Sequence, residues 1–134
     1  MPNVFHLRII SPASVVVDTH VTRVEVPGTE GDFGVLPGHA PFFSMIRPGV
    51  IDVHLMDGHL RRFFAAAGYA DVSAEGCTIL SDHIQDLYDI TPTEATEALA
   101  AAHEALAVAH SDLEKANAQK LVTMATALVT AVAA

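Results

Sequence analysis

The segment GTEGDFGVLPGHAPFF, residues 28–43, joins two apolar runs and is unusually elaborate for a connection in a small protein. It contains four glycines, two prolines, two acids and one histidine. An ordinary β-hairpin needs only about two to five turn residues. A connection of this length and composition requires an explanation beyond chain reversal.

The composition bounds the class of protein to which the segment belongs. A chain of 134 residues forms one domain, or one domain with an appendage. Sixteen acids against seven bases give a net charge of −9, which disfavours binding to nucleic acid or anionic lipid. The N-terminus MPNVFHLRII lacks the pattern of a signal peptide, and the apolar tail LVTMATALVTAVAA is too short and polar to span a bilayer. We expect a soluble, cytosol-type protein.

The chain divides into two halves of different composition. All eight glycines lie between Gly28 and Gly76, whereas residues 87–134 contain no glycine and 15 alanines. The change falls near SDHIQDLYDI, residues 81–90. We therefore predict one domain over residues 1–86 and a second over residues 87–134.

The first half has the pattern of an antiparallel β protein. Short, β-branched and partly alternating runs follow one another at the spacing typical of such sheets. They are VFHLRII, SVVVD, VTRVEV, GVIDVHLM, LRRFFAAA, GYADVS and CTILS. Asp57-Gly58 suits a type I′ hairpin and Glu75-Gly76 a weaker one. Because seven or more strands must bury their apolar faces against each other, we predict a β-sandwich or flattened barrel, with the single cysteine, Cys77, buried in it.

The second half has the pattern of helices. Thr91, Pro92 and Glu94 fit the N-cap, first and third positions of a capping box. An apolar stripe follows at Ala95, Leu99, Ala102, Leu106, Ala109 and Leu113, and resumes at Leu121, Met124, Leu128 and Val132. A second capping pattern at residues 111–114 favours two antiparallel helices joined near His110 and Ser111. Because no glycine or proline marks the joint, a single helix of about 40 residues remains an alternative.

No catalytic or metal-binding constellation is present in the sequence. His54 and His59, or His103 and His110, lack the further ligands that a zinc site needs. There is no Gly-x-Ser-x-Gly motif, and the glycine spacing fits neither dinucleotide nor phosphate-loop patterns. A sandwich enzyme or ligand-binding module would require a deep pocket with converging polar groups, which the sequence does not indicate.

The opening segment and its flanks carry a specific pattern. Residues 25–49 contain acid-Gly-acid at 30–32, Pro-Gly-His-Ala-Pro at 37–41 and a closing Pro-Gly at 48–49. This pattern resembles the epsilon subunit family of F-type ATP synthases, which is called delta in mitochondria. Phe33 stands where the family usually has an aliphatic residue. The resemblance extends over essentially the whole chain.

The resemblance implies a fold and a role. The fold is an N-terminal β-sandwich of about ten strands followed by a C-terminal α-helical hairpin. The role is that of a non-catalytic rotor subunit in the central stalk of a proton-translocating enzyme, without a cofactor. It would couple rotation of the c-subunit ring to the catalytic head through the gamma subunit. We then expect it at the cytoplasmic face of the bacterial inner membrane, as a peripheral component.

The resemblance also assigns contact residues. Those expected to meet the c ring are Glu30, Asp32, Val35 and Leu36, and those expected to meet gamma are Ser11, His39, Pro41, Phe42 and Ser44. Exposed ion pairs contribute only about 0–1 kcal/mol, so the acids set register more than affinity. The sequence leaves open whether the apolar residues of these sets face a partner or the core.

The chain departs from the family where some members bind ATP or inhibit hydrolysis. Glu94 replaces the arginine of the nucleotide motif, so we expect no nucleotide binding. The second helix carries only Lys115 and Lys120 for contacts with the alpha and beta subunits. A mainly regulatory role, through inhibition of ATP hydrolysis with or without ATP sensing, is the alternative to the coupling role.

Overall fold

The computed structural model describes residues 3–133, which contain nine β-strands, two α-helices and a short 3-10 turn at Leu87–Asp89. The strands are β1 (Phe5–Ile10), β2 (Val15–Val26), β3 (Phe33–Val35), β4 (Phe42–Ile46), β5 (Gly49–Leu55), β6 (Leu60–Ala65), β7 (Gly68–Ser73), β8 (Gly76–Ser81) and β9 (Ile84–Asp86). The helices are α1 (Pro92–Val108) and α2 (Asp112–Ala133). The chain forms two compact units, with the boundary between Asp86 and Leu87.

The first unit is a β-sandwich, as predicted. Its strand order is β4-β7-β8-β1-β2-β5-β6-β9, with β3 paired to β2 outside this path. Alternating side chains from both halves of this order meet in one apolar core. The largest fully buried members are Leu7, Ile9, Ile46, Ile51, Phe63 and Ile79. Nine described strands are close to the ten that the resemblance implies.

Strand β2 belongs to both halves of the sandwich, and here the sequence-based division was wrong. SVVVD and VTRVEV are not two strands but one strand of 12 residues. Its buried positions change phase, from Val17 and Val21 to Val24 and Val26, across a register shift opposite β5. The hydroxyl of Thr22 donates to the His54 carbonyl at this bulge, at 3.1 Å. A bulge bends a strand and re-aims its side chains, so one continuous strand shows two alternation phases.

The hairpin turns differ from the predicted type I′ geometry. Residues 56–58 form a three-residue loop in which the Gly58 N–H donates to the Leu55 carbonyl at 3.1 Å. Gly58 has a φ of 90°, but no non-glycine residue in the described part of the chain has a positive φ. Between β7 and β8 the loop residues are Ala74 and Glu75, since Ser73 pairs with Gly76. Type I′ turns need two positive φ angles, so the observed loops suit residues other than glycine better.

The second unit is a helical hairpin whose first helix begins as predicted. Thr91 is the N-cap of α1, Pro92 opens the helix, and the Glu94 side chain returns to the Thr91 N–H. Helix α2 starts after Ser111, whose Oγ accepts from the Glu114 N–H at 3.0 Å. The two helices are joined by residues 109–111, and a single long helix is therefore not the conformation of this structure.

The seam between the helices follows smaller residues than predicted. Ala102 of α1 packs with Val122 and Ala125 of α2, flanked by Leu99 and Leu106. Along α2 the buried positions are Ala118, Val122, Ala125, Leu128 and Ala131, whereas the predicted stripe residues Leu113 and Leu121 are exposed. Because the distance between helix axes depends on the side chains at the contact, alanines permit a closer approach than leucines.

We predict that Gly68→Ala destabilises the sandwich by about 2–3 kcal/mol, the scale of a forced overpacking. A Cβ at position 68 would lie 2.0 Å from the Leu80 carbonyl oxygen and 2.8 Å from the Ser81 Cα, both backbone atoms. Gly34→Ala is the matched control, because a Cβ there meets nothing closer than the Arg23 side chain at 3.7 Å. Urea unfolding followed by circular dichroism compares the two. Equal midpoints for both variants would contradict the prediction.

Candidate functional site

Residues 28–32, called the acidic turn below, connect β2 to β3 and are anchored to the end of β4. The Thr29 N–H donates to the Met45 carbonyl and the Arg47 N–H donates to the Pro27 carbonyl, each at 3.0 Å. Gly28 pairs with Ile46 in an isolated bridge. Inside the turn, the Gly31 N–H donates to the Gly28 carbonyl at 3.2 Å. The acidic turn is therefore held by backbone hydrogen bonds to the end of β4 and by one hydrogen bond within the turn.

The two acids of the turn are both exposed, but their environments differ. The Asp32 Oδ1 lies 2.6 Å from the Arg47 Nη2, and the Arg47 Nη1 donates to the Gly28 carbonyl at 3.0 Å. The Glu30 carboxylate has no ion pair or hydrogen bond within residues 3–133. One acid is thus paired inside the chain and the other is available to an external cation.

Val35 corrects one sequence-based expectation. Its side chain is 1 % exposed and belongs to the apolar core of the sandwich. It pairs with Val24 across β2 and β3, which places it on the inner face. Expecting Val35 to contact the c ring was therefore wrong, because its side chain is not accessible. Leu36, the next residue, is 53 % exposed.

The loop between β3 and β4 brings several predicted contact residues together. The rings of His39 and Phe42 lie 6.4 Å apart, and Phe42 also meets Phe33 edge-on at 5.0 Å. With Leu36 and Pro41, this loop lines a mainly apolar cleft of about 290 Å³ against the turn between β7 and β8. At about 3.3 Å per extended residue, Leu36 lies about 13 Å along the chain from Asp32. Leu36 therefore groups with the β3–β4 loop rather than with the acids.

Ser11 and Ser44 are not neighbours of His39. Strand β1 runs in the same direction as β8 and β4, so Ser11, which follows β1, lies at the end of the sheet opposite His39. Ser11 forms a tight turn with Ser14, in which its N–H donates to the Ser14 carbonyl at 2.9 Å. The Ser44 hydroxyl donates to the Met45 carbonyl at 2.9 Å. The five residues expected to meet gamma thus extend along the sheet rather than forming one cluster.

The outer face of the edge strand β4 carries apolar residues that the sequence analysis missed. Phe43 and Met45 are 58 % and 52 % exposed, and Phe43 stacks on Tyr69 of β7 with ring centroids 5.4 Å apart. Phe43, Met45 and Tyr69 are called the edge patch below. In FFSMI, residues 42–46, every residue except Ser44 is apolar, so apolar side chains fall on both faces of a strand. That signal could have indicated a strand with two apolar faces.

Comparison with known proteins identifies the family. The family model described as ATP synthase, Delta/Epsilon chain, beta-sandwich domain matches residues 4–86. The chain belongs to this family. The ATP synthase epsilon chain of Maricaulis maris (strain MCS10) is 43% identical over 102 residues, 76% of each chain. The ATP synthase epsilon chain of Rhodospirillum rubrum is 38% identical over 102 residues, again 76% of each.

Two solved structures share the fold of this delta/epsilon family member. A chain in the cryo-EM structure of the Euglena gracilis mitochondrial ATP synthase, OSCP/F1/c-ring, aligns with a TM-score of 0.83 and 19% identity, covering 98% of this chain and 83% of that one. A chain of the Tetrahymena thermophila mitochondrial ATP synthase central stalk/c-ring aligns with a TM-score of 0.65 and 12% identity, covering 96% of each.

The helical unit of this family member has few basic side chains for contacts with a nucleotide or with acidic protein segments. The Glu94 carboxylate is engaged in the capping box of α1, where it accepts hydrogen bonds from the N–H and the hydroxyl of Thr91 at 3.2 and 3.0 Å. Lys115 and Lys120 are exposed on α2. Five helical residues separate them by about 140° around the axis, so the two lysines do not form one basic face.

The titratable groups of the described residues are not assembled into a metal centre. Within residues 3–133 no group of three or more histidine, cysteine, aspartate or glutamate side chains is arranged to hold a metal ion. None of the described helices combines the length and apolar character needed to cross a membrane. Cys77 is buried, as predicted, and burial raises the pKa of its thiol to about 12.

We predict that Cys77 resists alkylation by iodoacetamide at about pH 8 in the folded chain and reacts readily in urea. With a pKa of about 12, only about one thiol in ten thousand is ionised at that pH, and the thiolate is the nucleophile. The unfolded thiol has a pKa of about 8.5, so it ionises before the folded one. The free energy of unfolding should therefore fall as pH rises from about 9 to about 12. Mass spectrometry measures the labelling, and rapid labelling of the folded chain would contradict the burial.

We predict opposite outcomes for two neighbouring truncations in β3 and the loop that follows. Val35→Ala removes buried methyl groups and should cost about 2 kcal/mol of stability. Leu36→Ala removes exposed atoms and should change stability by less than about 0.5 kcal/mol. Thermal or urea unfolding measures both. A larger loss for Leu36→Ala than for Val35→Ala would show that the two side chains have been assigned to the wrong faces.

Proposed function

We propose that this chain is a non-catalytic central-stalk subunit of a proton-translocating F-type ATP synthase, which couples c-ring rotation to the catalytic head. The observation that carries the proposal is the exposed acidic turn, anchored by backbone hydrogen bonds on a rigid sandwich. Membership of the delta/epsilon family supports the same role. In this role the chain is peripheral to the cytoplasmic face of a bacterial inner membrane through its complex.

The acidic turn is the proposed contact with the c ring, and its charge leads us to propose a cationic loop on that ring as the partner. Glu30 and Asp32 project from a turn that is fixed to β4, and a fixed charge defines register with a cationic loop better than a mobile one. Individual exposed ion pairs supply only about 0–1 kcal/mol, so the acids orient the subunit rather than hold it. Leu36 is exposed but lies beyond β3 with the β3–β4 loop, so its contact with the c ring would be separate from that of the acidic turn.

The β3–β4 loop and the edge strand are the proposed contact with gamma. Phe42 is 44 % exposed and meets the His39 ring edge-on, and the exposed Pro41 lies between them in the sequence. The edge patch adds the exposed side chains of Phe43 and Met45, which flank Ser44 in the sequence and lie on the opposite face of β4. Aromatic and methionine side chains are enriched at protein interfaces and supply much of their binding energy. Ser11 would extend this contact to the opposite end of the sheet.

The coupling role is better supported than the regulatory one. Inhibition through α2 would require basic side chains directed at the alpha and beta subunits, and Lys115 and Lys120 point to different sides of the helix. Nucleotide sensing on α1 lacks a cation, because the position of the family arginine is held by Glu94, whose side chain completes the capping box with Thr91. The helical unit is therefore assigned no nucleotide site.

We predict that reversing both charges of the acidic turn, Glu30→Lys with Asp32→Lys, weakens coupling in the assembled enzyme. Reversal replaces attraction to a cationic loop by repulsion, a change of about 1–2 kcal/mol or roughly tenfold in affinity. ATP-driven proton pumping in inverted membrane vesicles, divided by ATP hydrolysis, measures coupling and should fall severalfold.

The matched control for this double reversal is Asp82→Lys with Glu104→Lys. It makes the same change in net charge at two exposed acids outside the turn and should leave the ratio unchanged. Circular dichroism of each isolated chain verifies folding. Normal coupling with both turn charges reversed in a folded chain would overturn the proposed function.

A further inference from the structure

Arg47 is placed where it can fix the conformation of the acidic turn. It directly follows β4, and its backbone N–H donates to the Pro27 carbonyl at 3.0 Å. Its guanidinium then reaches back over the turn, with Nη1 on the Gly28 carbonyl at 3.0 Å and Nη2 on the Asp32 carboxylate at 2.6 Å. These two acceptors lie at the first and last residues of the turn. One side chain therefore closes the turn across its open end.

The contact depends on the shape of the guanidinium. Its planar array of N–H donors can serve two acceptors at once, whereas a lysine ammonium is a point charge without such a fork. The Asp32 side chain is 71 % exposed, so the pair is screened by solvent and contributes little to global stability. Its effect is on the position of the turn.

The pair also changes the charge that the turn presents. Arg47 offsets the Asp32 carboxylate, whereas Glu30 has no cationic partner within residues 3–133. The arginines elsewhere in the sandwich that carry ion pairs are engaged with other acids: Arg23 with Glu25, Arg61 with Asp86, and Arg62 with Asp52. The acidic turn therefore carries one uncompensated negative charge rather than two.

We propose that Arg47 is a positioning residue that closes the acidic turn and neutralises Asp32, so that Glu30 alone meets the cationic loop of the c ring. This inference rests on the proposed function for its partner but not for the geometry of the turn. The proposal gives different roles to two acids that look equivalent in the sequence. Asp32 holds the turn in position, and Glu30 contacts the partner.

The geometric part is tested by amide hydrogen exchange of the isolated full chain. The Thr29 N–H, bonded to the Met45 carbonyl, reports whether the turn is closed. Arg47→Met and Asp32→Asn should each accelerate exchange of this amide about threefold to fivefold, the scale of an exposed ion pair, and the double variant should add little more. Arg47→Lys keeps the charge and should still accelerate exchange. Glu30→Gln should have no effect.

The charge part is tested by binding of the chain, with its gamma subunit, to purified c ring at several salt concentrations. Raising ionic strength from about 0.01 M to about 0.15 M shortens the screening length from about 30 to about 8 Å, so binding through Glu30 should weaken. Glu30→Gln should weaken low-salt binding about threefold and flatten this dependence. Arg47→Lys should retain the dependence, and Arg47→Met should steepen it because the Asp32 charge is released. Asp32→Asn should reduce the dependence, because the Arg47 charge is then released beside Glu30. The double variant Arg47→Met with Asp32→Asn removes both charges and should retain the dependence.

The outcomes separate this inference from the proposed function. Loss of salt dependence in the double variant Arg47→Met with Asp32→Asn, but not in Glu30→Gln, would overturn the separate roles of the two acids while leaving the coupling role intact. Unchanged Thr29 exchange in Arg47→Met would overturn the positioning role. Failure of the unaltered chain to bind the c ring would instead count against the proposed function, and with it the charge part of this inference.

Discussion

The bulged strand β2 is the element on which the rest of the sandwich depends. Its first half pairs with β1 and its second half with β3 and β5, so one strand belongs to both halves of the strand order. The change of phase at Thr22 lets Val17 and Val26 both point into the same core from differently oriented parts of the chain. Without that bulge, strict alternation would direct the apolar side chains of one half of the strand to the surface.

The same strand determines where the acidic turn lies. Because β2 ends at Val26 beside the last residues of β4, the turn that follows is fixed by hydrogen bonds to residues 45–47. A rigid scaffold with a polar, well-anchored tip is suited to transmitting force, since the tip cannot yield independently of the core. The length of the connection is thereby explained: it forms an anchored acidic turn, a short strand and an apolar loop in succession.

The exposed apolar side chains on β4 are a liability for an isolated chain. An edge strand with apolar residues on its surface favours unwanted pairing. A subunit of a permanent complex can retain such a surface, because a partner subunit covers it. The edge patch and the β3–β4 loop therefore fit a protein whose working state is a complex.

What the sequence by itself determined are the features encoded locally. The change from strands to helices, the capping box at Thr91, the burial of Cys77 and the family pattern of residues 25–49 all follow from spacing and composition within short windows. Only the tertiary structure decided that β2 is one strand, that Val35 faces the core while Leu36 does not, and that Arg47 pairs with Asp32. These outcomes depend on contacts between residues that are far apart in the chain. The periodicity of a short run does not show which face of a strand will be covered by another element.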